Sequence, residues 1–223
     1  MYAHDTTRRS TVLLLLCVTS GAIDAISFLR FNVFTSAMSG NTVLLGIAIG
    51  QHALQPAINS GTAFVGYFCG VALATGVRSL KNPGGNHLLS LLGLEVLFVA
   101  GFAALSVAHV SSAVTIIVLA GIGMGIQAVT ARALNASGII TVVFTATLTS
   151  IAEALSGLLF HRPLQRLPGD AWRQIASFIC YLGGASLGAL FSLFGPAAAV
   201  LPLASVLAAF VIVASGPRGL PAR

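Results

Sequence analysis

The chain has 223 residues, of which 57% are hydrophobic and only 7% charged, and its mean hydropathy is +0.97. Soluble domains carry about a quarter charged residues, so this composition excludes an ordinary soluble domain and indicates an all-α polytopic membrane protein. The net charge of +6 does not indicate nucleic-acid binding, because Lys and Arg lie at the ends of apolar runs without interleaved aromatic residues.

The first apolar run follows Arg8 and Arg9 and resembles a secretory signal peptide. The run continues past Ala25 through Leu29, and no separate soluble domain follows it. We therefore expect a retained first helix with a basic cytoplasmic flank.

Eight apolar segments can be drawn, at about 11–30, 33–51, 57–79, 88–108, 112–134, 138–159, 171–193 and 197–215. Crossing the hydrocarbon as a helix takes about 20 apolar residues. Segments 33–51 and 138–159 are doubtful because polar residues interrupt them. If both cross, Lys and Arg divide seven to four between the two sides, whereas if both are re-entrant the division is ten to one.

The positive-inside rule favours the second arrangement. The sequence thus predicts six full spans plus two broken or re-entrant segments in a single integral membrane domain, residues 1–223. Both termini are expected on the cytoplasmic side of the membrane.

The chain also contains an internal repeat, with halves at about 11–108 and 112–215. FVGYFCGVAL at 64–73 aligns with FICYLGGASL at 178–187, and Asp24-Ala25 aligns with Gln127-Ala128. With three full spans in each half, the two halves would be inverted relative to each other. Inverted repeats with broken segments at corresponding positions are typical of secondary transporters.

Glycines four residues apart recur along the apolar segments. This spacing leaves a flat helix face that allows two backbones to approach closely. We interpret these glycines as helix-packing positions, and they are also compatible with a homodimer. The pairs are Gly46 and Gly50, Gly66 and Gly70, Gly121 and Gly125, and Gly184 and Gly188.

The most unusual stretch is Gly21–Asn41, which we call the first polar segment. It places Asp24 and several uncharged polar residues next to apolar helix. An Asp at a helix centre in a membrane costs roughly 2.5–3.5 kcal/mol, so it needs a cavity, a partner or a pathway. Its aligned counterpart, the second polar segment, runs from Gly123 to Glu153.

Five residues in these two segments are candidates to line a pathway for an ion or small molecule. Asp24 is the first choice, either as a cation or proton site or as a group that fixes helix packing. Arg132 is a candidate counter-charge for Asp24, and a helix starting near Asn41 would direct free N–H groups toward an anionic group. Gln127 and Glu153 complete the set; Glu95, among apolar neighbours, is interpreted as structural.

No metal site, cofactor or enzymatic activity is predicted. The five histidines lie at segment ends or in loops without ligand spacing, and the three cysteines are scattered through apolar segments. Neither a nucleophile elbow nor a phosphate-binding glycine loop occurs in a suitable context.

Three motifs resemble the YoaK-like family of bacterial membrane proteins, whose function is unknown. They are GAIDAISFL at 21–29, FTSAMSGN at 34–41, and a second-half pattern over 123–149 that carries Gln127, Arg132, Asn135 and Thr141. Ser39 replaces a Thr that many relatives have, which is a minor change. The resemblance implies a multi-pass inner-membrane protein and supplies neither substrate nor mechanism.

Two functions remain open from the sequence. The first is a small secondary transporter or permease, with a polar pathway for a small molecule or ion between the two repeats. The alternative is a structural or accessory membrane protein that acts through a partner, in which the polar residues lock the helices together.

Overall fold

In the computed structural model, residues 2–80, 87–108, 112–134 and 171–215 are described, with residues 148, 149, 152, 153 and 156 in addition. All the regular secondary structure of the described residues is helical. Its elements are α1 (Tyr2–Phe31), α2 (Met38–Gly50), α3 (Leu54–Leu80), α4 (His87–Ala108), α5 (Ala113–Ala133), α6 (Ala171–Ser192), a 3-10 turn (Pro196–Ala199) and α7 (Val200–Ala214).

Within these described ranges, six helices are long and apolar enough to cross a membrane: α1, α3, α4, α5, α6, and the 3-10 turn with α7. The six expected full spans therefore correspond to helices whose bounds agree within three residues, except that α1 begins at Tyr2, nine residues before the predicted start at 11. Segment 33–51 forms the short helix α2, whose 13 residues extend about 20 Å, less than the hydrocarbon thickness of about 30 Å. Segment 138–159 lies almost wholly outside the described residues, so its re-entrant character stays a prediction.

Local sequence explains where α1 and α2 end. Asn32 follows α1 with a φ of 55°, and His52 follows α2 with a φ of 53°. A residue in the left-handed region closes the last turn of a helix, and Asn tolerates that conformation better than most residues. At the start of α5, the Ser112 side chain accepts a hydrogen bond from the backbone N–H of Thr115.

The core lies among α1, α4, α5 and α7. Its fully buried side chains include Leu13, Ile23, Phe102, Met124 and Val206. Helices α3 and α6 lie at the periphery and expose large apolar residues such as Phe68 and Leu182. Such exposure suits a membrane, since lipid tails are as apolar as these side chains.

Helix α1 packs most extensively on α6, and glycines allow the close approach. A side chain at Gly184 would meet the backbone of Val18, and one at Gly188 would lie 2.8 Å from the Ala22 carbonyl oxygen. These contacts advance in the same direction along both helices. Helices α1 and α6 are therefore parallel.

The same arrangement recurs between α3 and α5. A Cβ at Gly66 would lie 2.8 Å from the Val118 carbonyl oxygen, and a Cβ at Gly70 would meet the Ile122 carbonyl. Helices α3 and α5 are also parallel. By contrast, Gly46 and Gly50 on α2 have no described atom within 4 Å of an added Cβ.

Two hydrogen bonds establish the direction of α3 relative to α1. Asn59, near the start of α3, donates to the carbonyl of Phe31 at the end of α1, at 3.3 Å. Asn41 on α2 donates to the Ser60 carbonyl at 3.1 Å. Helix α3 thus begins where α1 ends and runs back along it, with α2 between them on that same side. It follows that α5, parallel to α3, is antiparallel to α1.

The start of α1 and the end of α7 lie together. The Arg8 guanidinium donates to the Ile212 carbonyl at 2.9 Å and to the Val213 carbonyl at 2.6 Å. These are carbonyls of the last turn of α7, which no helical N–H satisfies, and a cation is favourable there. The start of α1 and the end of α7, here called the chain ends, therefore lie on one side of the helix bundle.

Candidate functional site

The break between α1 and α2 folds back into the bundle. After Asn32 the chain reverses, so that residues 35–37 reach Asp24, seven residues before the end of α1. At 1.5 Å per helical residue, this return covers about 10 Å along α1. The stacked rings of Phe28 and Phe34, 4.9 Å apart, line the return. Gly40 accommodates that arrangement, because an added Cβ would lie 3.2 Å from the Phe34 ring.

Asp24 is 2% exposed, and both its carboxylate oxygens are filled by protein donors. Oδ1 accepts the backbone N–H groups of Thr35 and Ser36, each at 2.8 Å. Oδ2 accepts the N–H of Ala37 at 3.1 Å, the Ser36 hydroxyl, and the Tyr181 hydroxyl of α6 at 2.8 Å. The carboxylate thus satisfies backbone N–H groups of the break, just before α2 begins, and ties the break to α1 and α6.

The N–H groups that Asp24 accepts belong to the break before α2 and not to the first turn of α2, which begins at Met38. The expectation that free N–H groups at the start of α2 face an anionic group therefore stays a prediction. Sequence reasoning missed Tyr181 as a partner of Asp24. The available signal was a phenol within an apolar span, since a buried hydroxyl needs a hydrogen-bond partner.

Gln127 lies on α5 and is 5% exposed. Its Nε2 donates to the Leu16 carbonyl at 2.6 Å, and its Oε1 accepts from the Ser20 hydroxyl at 2.9 Å. Because Ser20 is one turn before Asp24, the structure brings Gln127 and Asp24 to neighbouring levels of α1. Asp24 lies on α1 itself, whereas Gln127 reaches α1 from α5.

Asn41 is fully buried, and while its Nδ2 donates to Ser60, its Oδ1 has no hydrogen-bond partner among the described residues. The buried Ser27 hydroxyl, one turn beyond Asp24, is likewise without a partner there. These two oxygens are unused polar groups in the first polar segment, and each is able to bind a ligand or water.

Arg132 and Glu153 are not brought to this cluster. Both side chains are exposed, and Arg132 lies in the last turn of α5. Within the described residues, no ion pair joins Arg132 to Asp24, whose oxygens are filled by neutral donors. The predicted Asp24–Arg132 pair is therefore wrong for this conformation, because Arg132 lies at the end of its helix and Asp24 lies in the interior.

The described residues contain no group of three or more His, Cys, Asp or Glu side chains that could hold a metal ion. The residues around Asp24 supply hydroxyl, amide and backbone donors. Their arrangement binds a carboxylate, orients a re-entrant backbone and leaves two oxygens unpaired.

Sequence comparisons identify relatives of this chain. The family described as protein of unknown function (DUF1275) matches residues 12–213. A curated relative, the UPF0700 transmembrane protein YoaK of Bacillus subtilis (strain 168), is 38% identical over 187 residues, which cover 82% of this chain and 83% of the relative. No solved structure gives a significant match.

Proposed function

The chain belongs to the DUF1275 family of multi-pass membrane proteins, and we propose that it is a small secondary transporter with a pathway between two inverted halves. The observation that carries the proposal is the re-entrant break at residues 32–37, held about two helical turns inside the end of α1 by Asp24. Non-helical backbone at membrane depth is tolerated where it is buried in protein or lines a water-filled cavity. Broken helices of this kind surround the substrate sites of many transporters.

The helix pairing supports inverted halves. In the proposed repeat, α1 corresponds to α5 and α3 to α6, while α1 is antiparallel to α5. Under this correspondence, the closely packed pair α1–α6 of the bundle becomes the other closely packed pair, α5–α3. Their contacts match in detail, because Gly21 meets the Tyr181 carbonyl and Gly125 meets the Tyr67 carbonyl.

This correspondence refines the alignment of the two polar segments. If Gly21 is aligned with Gly125, the position in the second half that corresponds to Asp24 is Ala128, whereas the sequence alignment assigned Gln127 to it. In the refined correspondence, the second half has no polar side chain equivalent to Asp24. The two halves would then differ chemically at the position that holds the first break.

The proposed pathway includes residues that differ in their tasks. Asp24 holds the break, while Asn41, with Ser27, offers unpaired oxygens to a substrate. Gln127 links α5 to α1 beside this cluster. Arg132 and Glu153 are exposed and would act at the entrance, Arg132 on the side where the chain ends lie.

Single-cysteine labelling of reconstituted protein tests the pathway without knowledge of the substrate. In a background lacking the three native cysteines, we place one cysteine at Ser27, Ser36 or Asn41. A membrane-impermeant maleimide applied to either side is expected to react with these cysteines, because alternating access opens the cluster to water. Val65→Cys, on an exposed apolar face of α3, serves as the control and is expected to react from neither side.

The transporter proposal is overturned if none of the three cysteines reacts with the maleimide from either side, in variants whose melting temperature equals that of the wild type. A dry first polar segment contains no pathway. Labelling from one side only would indicate a pocket for a ligand and would also contradict transport.

One observation favours the alternative, a structural or accessory membrane protein. The carboxylate of Asp24 is saturated by donors of the chain itself, as expected of a group that fixes helix packing. This alternative predicts that substitutions at Asp24 reduce thermal stability and recovery of a partner complex together, while labelling of the cluster stays absent.

A further inference from the structure

A second carboxyl group is buried in the bundle, on α4. Glu95 is 0% exposed, and neither Oε1 nor Oε2 has a hydrogen-bond partner among the described residues. Buried carboxylates in proteins are normally paired or hydrogen-bonded, because an isolated ionised carboxylate in an apolar medium is very costly. Glu95 differs in this respect from Asp24, which has donors on both oxygens.

The packing of α4 places Glu95 in the centre of the bundle. Gly123 of α5 lies against the Val99 side chain, at 3.4 Å from an added Cβ, and Leu119 lies against Gly101. The two helices are therefore antiparallel. Glu95 lies one turn before Val99, and Gln127 lies one turn after Gly123. Glu95 and Gln127 are therefore at the same level of the bundle. Gln127 already uses its amide for Leu16 and Ser20.

Among the described elements that pack on α4, none supplies a cation to Glu95. Helix α7 and the 3-10 turn contain no titratable residue. On α3, α5 and α4 itself, the titratable side chains are Tyr67, Cys69, Arg78, Arg132 and His87. None of them forms a hydrogen bond or ion pair with the Glu95 carboxyl. Across the core, the carboxylate of Asp24 on α1 already has its oxygens filled by other donors.

We propose that Glu95 is a reversible proton-binding site that couples proton movement to transport, an inference that rests on the proposed function. A proton neutralises a carboxylate by forming one O–H bond and needs no further ligands. A metal cation would need several oxygen ligands, which one carboxyl group does not supply. The proton comes from water on one side, is held on Glu95, and leaves to water on the other side as the O–H bond breaks. Intramembrane carboxyl groups commonly mark such proton relays.

Infrared spectroscopy of the reconstituted full chain tests the proton site. The carbonyl stretch of a protonated carboxylic acid is expected to shift in deuterium oxide and to disappear reversibly as the pH is raised. Glu95→Gln removes this band, because the amide carries no acid proton. Asp5→Asn, the same change near the start of α1, is the matched control and leaves the band in place.

Proton flux into vesicles with an entrapped pH-sensitive dye tests the coupling. Wild-type protein is expected to carry protons down an imposed gradient, and Glu95→Gln is expected to reduce the flux to that of protein-free vesicles. Glu95→Asp, which keeps the acid, should retain part of the flux. Thermal melting of each variant in detergent verifies that it is folded.

The results separate this inference from the proposed function. A Glu95 band that neither exchanges nor titrates overturns the inference, even where cysteine labelling demonstrates a pathway. Flux that persists unchanged in folded Glu95→Gln also overturns it and leaves transport standing. A titrating band without wild-type flux overturns the coupling, and absence of labelling at the first polar segment then overturns transport as well.

Discussion

At the scale of single residues, the two buried carboxyl groups have opposite environments. Asp24 receives three backbone N–H groups and two close hydroxyl groups, whereas Glu95 has no partner among the described residues. Hydrogen bonds to a charged acceptor contribute more than neutral ones, so Asp24 stabilises the break it contacts. Glu95 contributes no such stabilisation to the fold.

Asp24→Asn is expected to lower the stability of the folded protein by about 2 kcal/mol. The amide lacks the negative charge, and its NH₂ group, itself a donor, would face the donors that now bind a carboxylate oxygen. Thermal unfolding in detergent measures the effect. Asp5→Asn is the control with the same chemical change. A melting temperature equal to that of the wild type would show that these hydrogen bonds do not hold the break.

Tyr181→Phe removes one donor to Asp24, and we expect a loss of about 1 kcal/mol. In the Asp24→Asn background, the same substitution should cost less, because its partner has already changed. The measurement is a double-mutant cycle of unfolding midpoints. Strict additivity of the two losses would contradict the contact between Tyr181 and Asp24.

Glu95→Met is expected to leave stability unchanged or to raise it by about 1 kcal/mol or more, because the substitution removes a buried polar group without a partner and nearly preserves volume. Thermal unfolding in detergent is again the measurement. A large loss of stability would indicate that the carboxyl group has a structural partner.

At the scale of elements, glycine determines how closely the helices approach. The α1–α6 and α3–α5 contacts bring backbone against backbone, which a single Cβ would prevent. In a membrane these contacts supply van der Waals packing in the absence of a hydrophobic driving force. Gly46 and Gly50 have the same spacing but face open space. Spacing alone therefore does not identify a packed pair.

Gly70→Ala is expected to destabilise the protein by about 1–3 kcal/mol, because the new methyl group meets the Ile122 carbonyl. Gly46→Ala is the matched control, and it should be neutral or slightly stabilising, since Ala favours the helix more than Gly does. Thermal unfolding of the two variants in the same detergent compares them. Equal effects would contradict the close approach of α3 and α5.

At the scale of the whole molecule, α1 ends and α3 begins on the same side of the helix bundle, and α2 connects them there. The hydrogen bonds from Asn59 to Phe31 and from Asn41 to Ser60 place the start of α3 at the end of α1. The Arg8 contacts place the chain ends together. These contacts favour an even number of crossings, with segment 33–51 as a re-entrant segment and not a span.

Labelling from either side of the membrane tests this arrangement. Ala53→Cys, after α2, should react on the side opposite the chain ends, and Ser79→Cys, at the end of α3, should react on the side of the chain ends. The opposite result at both positions would mean that α2 crosses the membrane.

The sequence by itself determined the membrane class and the approximate bounds of the spanning helices, because apolar length and low charge decide both. It also located the first polar segment, since polar residues stand out against an apolar background. Only the tertiary structure decided what those residues contact. It replaced Arg132 with Tyr181 and backbone N–H groups as the partners of Asp24, because partner choice depends on helix depth and rotation, which a linear pattern does not contain. It likewise left Glu95 without a partner, since that depends on every helix around it.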